Sequence, residues 1–253
     1  MGAMDSWHAR SWTLERFRTE HGRVQFPVNR SYSRAQAATL MTLREYIDGI
    51  LAEGGGGGLY LAGVEFLNRI PSLMGDFSFP DYVWWRRLAN TLLFVGGAGA
   101  RSPLHVDYSH TLLAQVAGRK RITLFAPEKT EWLEPLPREP FQTFCGLELT
   151  PSGSRRGPGA GASSDVSAFD RIRRERADFD FVLSPGEILF LPYGWWHAVE
   201  SLEPSISISH SWWTLSMLLS EAPYLAGEWL RYRLRRRKSS VNTGEDGQDW
   251  LGF

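Results

Sequence analysis

Two short motifs constrain the fold of this chain more than any other feature: residues 102–107 (SPLHVD) and 192–197 (PYGWWH). His105 and Asp107 are two positions apart, so on an extended strand both side chains leave the same face. His197 follows 197 − 105 = 92 residues later, directly after a strand-like run and a Tyr-Gly turn. Two imidazoles and one carboxylate leave metal positions open and suit non-haem Fe(II). The sequence therefore predicts that distant strands bring these three side chains together.

The composition favours one packed domain and argues against several other classes of protein. The 253 residues suffice for one large core, and a content of 13% aromatic residues argues against disorder. The net charge of +0 favours no nucleic-acid partner, and no apolar run is long enough to predict a membrane span. The single cysteine, Cys145, excludes an internal disulfide and fits a reducing compartment, so we expect a cytoplasmic protein.

The middle of the chain consists of short β-rich runs separated by turn signals. The predicted strands are 59–64, 92–95, 111–116, 121–125, 179–183, 188–191, 198–202 and 205–213. The glycine-rich segments 54–58 and 96–99 predict loops, and residues 117–120 predict a hairpin turn. About eight short strands suit a double-sheet jelly roll, also called a double-stranded β-helix, whose interior can hold a metal.

Helical spacing occurs on both sides of the predicted strands. Residues 35–51 predict a helix before them, and residues 214–234 predict a helical segment after them that Pro223 divides in two. We therefore expect an α+β fold, mainly β, with flanking N- and C-terminal helices. The segments predicted without regular structure are the connection 126–150 and the low-complexity loop 151–164, and residues 171–176 predict a short exposed helix.

These patterns predict a single domain over residues 1–253. Its core spans about 59–213, a helical extension about 214–238, and a polar tail 239–253.

The position of Lys120 allows two interpretations. Lys120 shares a strand face with Ile122 and Leu124. A lysine among aliphatic neighbours either extends its ammonium to solvent at the strand end or meets a buried anion. The pattern alone leaves both possibilities open.

Residues 99–127 (GARSPLHVDYSHTLLAQVAGRKRITLFAP) and 183–213 (LSPGEILFLPYGWWHAVESLEPSISISHSWW) resemble the core of JmjC and cupin-like 2-oxoglutarate oxygenases. The chain is similar above all to the small JmjC hydroxylases, typified by the asparaginyl hydroxylase of hypoxia-inducible factor. The resemblance extends from about residue 11 to residue 213. An HxD motif alone is weakly specific, but here a lysine follows the aspartate by 120 − 107 = 13 positions, and a PxxWWH motif follows later. The three together are specific.

The resemblance implies a role for eight residues. His105, Asp107 and His197 would bind Fe(II) and form the catalytic centre, and Lys120 would pair with the far carboxylate of 2-oxoglutarate. The other implied contacts of the cosubstrate are Ser102, Tyr60, Thr111 and His210. For His210 an alternative stays open, in which the ring fills a polar gap in the barrel.

The resemblance also implies an activity. The chain would be a 2-oxoglutarate-dependent dioxygenase that uses Fe(II) and O2 to hydroxylate a C–H bond while 2-oxoglutarate becomes succinate. A protein or peptide side chain is the preferred substrate, and a small metabolite is the alternative. Ala62 and Gly63 stand where the asparaginyl hydroxylase carries amides that hold its target, so that substrate is not transferred.

Two other classes of function stay open at this stage. One is a metal cupin enzyme that does not use 2-oxoglutarate, and the other is a non-catalytic binding module on the same fold. The C-terminal segment, rich in Leu and Trp, implies a homodimer as in similar proteins, although packing within one subunit would explain it too.

Overall fold

The computed structural model describes residues 2, 4–29, 38–52, 59–79, 89–138, 142–145, 147–150, 153–156, 177–224 and 226–227, without the side chains of 147–156. The chain divides into two compact units, Met1–Trp213 and Thr214–Phe253. Our predictions for 54–58, 171–176 and 239–253 lie outside the described residues. No helix among the described residues is long and apolar enough to cross a membrane.

The first unit contains two α-helices and fourteen strands among its described residues. The helices are α1 (Leu14–Glu20) and α2 (Leu43–Leu51). The strands are β1 (Gln25–Val28), β2 (Thr39–Thr42), β3 (Tyr60–Glu65), β4 (Ala89–Gly96), β5 (Arg101–Asp107), β6 (His110–Ala117), β7 (Lys120–Phe125), β8 (Gln142–Phe144), β9 (Leu147–Thr150), β10 (Gly153–Arg156), β11 (Phe179–Leu183), β12 (Ile188–Leu191), β13 (Trp196–Ser201) and β14 (Ser205–Trp212). Short 3-10 helices cover His8–Ser11, Pro71–Gly75 and Pro127–Leu133.

Two five-stranded antiparallel sheets form the body of this unit. Sheet I has the order β12-β6-β14-β4-β3, and sheet II has the order β11-β7-β13-β5-β8. From β4 to β7, and again from β11 to β14, each strand lies in the sheet opposite to its predecessor. This alternation is the double-stranded β-helix, so the predicted jelly roll with flanking helices is confirmed.

The predicted hairpin between β6 and β7 is wrong. The two strands belong to different sheets, and the turn between them carries the chain across the barrel. Gly118 in this turn has φ +67°, and a Cβ atom there would lie 2.3 Å from the carbonyl oxygen of Pro204. The glycine is required by this close approach. A turn signal specifies a reversal of the chain but not which sheet each strand joins.

The helix predicted over 35–51 is shorter. It begins at Leu43, because Thr42 and Glu45 form a capping box in which each side chain accepts a hydrogen bond from the other residue's backbone N–H. Residues 39–42 form β2, which pairs with β1, and residues 35–37 lie outside the described residues. Apolar residues at helical spacing also occur before Thr42 in the sequence, but the capping box sets where the helix begins.

Two further segments also differ from expectation. The connection 126–150 contains a 3-10 helix and the strands β8 and β9, and β10 within 151–164 pairs with β9. Of these strands, β8 pairs with the distant β5, whereas β9 and β10 pair with each other across a short turn. In the second unit, residues 215–224 are helical and include Pro223, so the proline does not end the helix at the residue before it.

The N-terminal elements cover the outer face of sheet I. Phe17 of α1, Phe26 of β1 and Ile47 of α2 are fully buried in one apolar cluster with Ile206 and Ile208 of β14. Burial of this much apolar area is the main force that holds these elements on the sheet. The other face of sheet I, where polar residues alternate with these apolar ones, points into the space between the two sheets.

Candidate metal centre

His105, Asp107 and His197 converge on one point of sheet II. His105 and Asp107 lie at the end of β5, and His197 of β13 is paired directly with His105. The distance from His105 Nε2 to Asp107 Oδ1 is 3.8 Å, and that from His197 Nε2 to Asp107 Oδ2 is 3.7 Å. The three potential ligand atoms all lie within 4.8 Å of one another. This spacing allows a single ion to contact all three.

Backbone carbonyls set the tautomer of both histidines. His105 Nδ1 lies 2.7 Å from the carbonyl oxygen of Pro103, and His197 Nδ1 lies 3.1 Å from that of Trp195. A carbonyl can only accept, so each Nδ1 carries the hydrogen and each Nε2 offers a lone pair toward Asp107. Burial, reinforced by the neighbouring His197, lowers the pKa of His105 to about 4, which keeps this imidazole neutral. Both rings are therefore prepared to bind a metal.

The centre opens toward solvent at Asp107. The side chains of His105 and His197 are only 4% and 7% exposed, whereas that of Asp107 is 30% exposed. Phe144 of β8 covers the ring of His105, with 5.5 Å between ring centroids. Access to the metal position is therefore from the side of the carboxylate.

Lys120 lies at the other end of the same cavity, because it is paired with Ser201 of β13, four residues along that strand from His197. Its side chain is 1% exposed, so the ammonium does not reach solvent. Nζ lies 5.9 Å from the ring centroid of Tyr60 and 5.6 Å from that of Phe94. Within the described part of the chain, no carboxylate forms an ion pair with it, and burial lowers the pKa of Lys120 to about 7. Of the two interpretations of Lys120, extension to solvent is wrong.

Three of the other predicted residues line this cavity as well. Tyr60, Ser102 and Thr111 contribute to its wall together with Lys120 and the three potential metal ligands. Burial raises the pKa of Tyr60 to about 12, and a hydrogen bond with the Ser102 side chain opposes this shift. The Thr111 hydroxyl lies 2.8 Å from that of Ser211. Seven of the eight predicted site residues are thus brought into one cavity.

A β-bulge places Ser102 on the cavity side. Residues three apart on a regular strand face opposite sides, so Ser102 and His105 would not share a face. The pairing of β13 with β5 shifts register between His197, which faces His105, and Val199, which faces Ser102. This bulge turns Ser102 inward, a result that sequence spacing alone does not predict.

His210 does not line the cavity, which disfavours its predicted contact with the cosubstrate. On β14 it shares a face with Ile206 and Ile208, which pack against the N-terminal elements. Its Nδ1 lies 2.9 Å from the Thr91 hydroxyl, and its ring stacks on Phe79 with 4.8 Å between centroids. The alternative placed the ring in a polar gap in the barrel, whereas the structure places it on the outer face of sheet I.

Five residues that line the cavity were missed by our sequence predictions: Phe94, Leu113, Leu191, Val199 and Ser209. Strand alternation would have found Ser209, because it lies on the face of β14 opposite to Ile208. The other four are apolar, and nothing in the sequence marks apolar residues as part of a site. They form a wall that limits access of water to the cavity.

The fold and the arrangement of this cavity define a jelly-roll protein of the cupin type. The sequence profile of the cupin-like domain family matches residues 3–217, and the chain therefore belongs to this family. The predicted kinship with JmjC and cupin-like proteins is confirmed by its relatives.

Three curated relatives illustrate this kinship. Lysine-specific demethylase 8 from Danio rerio is 31% identical over 226 residues, which cover 84% of this chain and 52% of the relative. The protein of the same name from Xenopus tropicalis is 29% identical over 221 residues, 84% of this chain and 47% of the relative. HSPB1-associated protein 1 from Bos taurus is 35% identical over 143 residues, 55% of this chain and 26% of the relative. The chain thus spans about half the length of the first two relatives, and less of the third.

Proposed function

We propose that this chain is an Fe(II)- and 2-oxoglutarate-dependent oxygenase that hydroxylates a C–H bond, preferably on a protein or peptide side chain. One observation carries the proposal: a single cavity has a His-Asp-His cluster at one end and the buried ammonium of Lys120 at the other. The cluster suits a metal, and the ammonium suits an anion that reaches from the metal into the cavity.

The donor set fits Fe(II). Two neutral imidazoles and one carboxylate on one side of an ion leave its other positions open for small ligands, as in non-haem Fe(II) oxygenases. The carbonyls of Pro103 and Trp195 orient His105 and His197 for this role through their Nδ1 atoms.

The far end of the cavity fits the distal carboxylate of 2-oxoglutarate. A buried ammonium is unfavourable unless an anion pairs with it, and Lys120 has no carboxylate partner among the described residues. The hydroxyls of Ser102 and Tyr60 line the same cavity and can donate to that carboxylate. A metal cupin without this cosubstrate would have no use for such an ammonium, which disfavours that alternative.

Each part of the cavity has a distinct task in the proposed reaction. Fe(II) and 2-oxoglutarate, when bound, supply with O2 the oxidising power that hydroxylates the substrate, and 2-oxoglutarate leaves as succinate and CO2. Lys120 and Ser102 hold the cosubstrate in one orientation. Leu113 and Leu191 exclude water from the reacting groups. The open side at Asp107 admits the substrate.

The substrate proposal draws on the relatives. Lysine-specific demethylase 8 is named for a reaction on lysine, which supports a protein or peptide substrate. Hydroxylation of an N-methyl group would release that carbon as formaldehyde, so one C–H oxidation can end in hydroxylation or in demethylation. We propose hydroxylation, and a small metabolite is the alternative substrate.

A homodimer formed through the C-terminal segment stays a prediction. Leu215 and Leu219 are 67% and 66% exposed and lie four residues apart on the helix 215–224, so they share one face. Such an exposed apolar pair is compatible with contact to a second copy. Light scattering coupled to size-exclusion chromatography tests it, and a monomer at micromolar concentration contradicts it.

The decisive experiment measures succinate. Protein loaded with Fe(II) under anaerobic conditions receives 2-oxoglutarate and then O2, and we expect slow succinate formation without substrate and faster formation with a suitable peptide. His105→Ala should abolish both, whereas His8→Ala, which alters an exposed histidine, should retain them. Parallel detection of formaldehyde separates demethylation from hydroxylation. Absence of both succinate formation and 2-oxoglutarate binding would falsify the proposal.

A further inference from the structure

His110, the first residue of β6, makes a hydrogen bond that the proposed chemistry does not use. Its Nδ1 lies 3.0 Å from the backbone nitrogen of Tyr193. A backbone N–H can only donate, so Nδ1 accepts and the ring hydrogen is on Nε2. Burial lowers the pKa of His110, which favours this neutral form. His110 is therefore a defined acceptor for one backbone amide.

That amide belongs to the turn that carries His197. The turn, residues 192–195, joins β12 of sheet I to β13 of sheet II. Gly194, with φ +82°, donates its N–H to the carbonyl of Asp107 at 3.3 Å. The carbonyl of Trp195 in the same turn accepts from Nδ1 of His197. The turn thus connects the backbone of one potential metal ligand with the ring orientation of another.

The ring of His110 is itself held firmly. It packs against Phe190 and Trp212, each with 5.6 Å between ring centroids. Neither of these neighbours carries a charge. Backbone N–H groups of the turn thus donate hydrogen bonds both to β5, at the Asp107 carbonyl, and to β6, at His110.

We propose that His110 is a positioning residue of the metal centre. By accepting the amide hydrogen of Tyr193, it holds the turn in the conformation that places His197 and the Trp195 carbonyl. This inference rests on the proposed metal binding by His105, Asp107 and His197. It assigns to β6 of sheet I a part in a centre whose ligands all lie in sheet II.

Two substitutions separate the acceptor from the bulk of the ring. In His110→Asn the side-chain oxygen can take the place of Nδ1 and still accept, whereas in His110→Gln the oxygen reaches the place of Nε2 and leaves the amide without its acceptor. We expect His110→Gln to raise the Kd for Co(II) by about 10- to 100-fold, as for other partners that orient metal ligands. His110→Asn should stay close to the wild type, and so should the exposed control His8→Gln. The visible absorption of bound Co(II) should change only in His110→Gln.

The outcomes are distinguishable. Equal Kd values for the Asn and Gln variants, whether both weakened or both unchanged, overturn the proposal for His110. Binding of Co(II) that is insensitive to His105→Ala instead overturns the metal centre itself.

A measurement on the wild type covers the case in which His110→Gln does not fold. Nitrogen NMR should find His110 protonated at Nε2, and hydrogen exchange should find the Tyr193 amide protected. A protonated Nδ1 or an unprotected Tyr193 amide overturns the proposal.

Discussion

The two ends of the cavity are built in different ways. At the metal end, all three potential ligands lie on β5 and β13, two neighbouring strands of sheet II in which His105 faces His197. At the lysine end, Lys120 belongs to sheet II, whereas the rings of Tyr60 and Phe94 that enclose it belong to sheet I. The first end depends on the register of one strand pair, and the second depends on how the two sheets pack.

The two ends also differ in how much the burial of their polar groups opposes folding. The metal end is partly open and its histidines are already hydrogen-bonded to carbonyls, so the protein accommodates these polar groups easily. The lysine end buries an ammonium that no described carboxylate neutralises, which opposes folding. We therefore expect the lysine end to stabilise the folded state when an anion binds and to destabilise it otherwise.

The largest effect should follow from Asp107→Ala. It removes one ligand and leaves the lysine end intact, so metal binding should weaken by more than the roughly 10- to 100-fold expected for loss of an orienting partner. Calorimetric titration with Co(II) measures this, and succinate formation should be lost. Asp180→Ala serves as control, because Asp180 pairs with Arg121 away from the cavity. Equal metal affinity in Asp107→Ala and wild type would contradict the assignment.

Lys120→Met should affect the opposite end. A buried charge that loses its partner typically weakens binding by about 2–5 kcal/mol, which predicts a rise of about 30-fold or more in the Kd for 2-oxoglutarate. The Kd for Co(II) should stay the same, and the melting temperature without ligand should rise because the unpaired ammonium is gone. If 2-oxoglutarate binds this variant as it binds the wild type, the cosubstrate does not contact Lys120.

The pH dependence of stability tests the same end more finely. Burial lowers the pKa of Lys120 from its usual 10.5 to about 7, so above pH 7 the folded state releases a proton that the unfolded state keeps. The unfolding free energy of the ligand-free protein should therefore rise with pH between about 7 and 10, by at most about 1.4 kcal/mol per pH unit. Denaturant titrations at several pH values measure this, with Lys120→Met as reference. Parallel pH profiles of the two proteins would exclude the contribution of Lys120.

The smallest effect should follow from His210→Gln. Because His210 packs on Phe79 outside the cavity, the affinities for Co(II) and 2-oxoglutarate should change by less than about twofold. Loss of its contact with Thr91 should lower stability by about 1 kcal/mol. If His210→Gln weakened 2-oxoglutarate binding as much as Lys120→Met, His210 would have to contact the cosubstrate.

Sequence reasoning was most successful where one strand determines the outcome. The pair His105 and Asp107 follows from strand alternation, and Lys120 was placed on the face that turned out to be buried. Strand alternation alone does not account for residues whose position depends on more than one strand. The inward position of Ser102 needs a bulge against β13, and the outward position of His210 needs knowledge of which face of β14 packs on the N-terminal elements.

The sequence by itself determined the jelly-roll class, most of its strands and the identity of the three potential metal ligands, because alternation and short motifs are local properties of the chain. Only the tertiary structure decided that β6 and β7 separate into two sheets, that Tyr60 and Lys120 meet across the cavity, and that His210 faces away from it. These results depend on strand register and on the packing of one sheet against the other. Both arise from contacts between residues far apart in the chain, which no local pattern encodes.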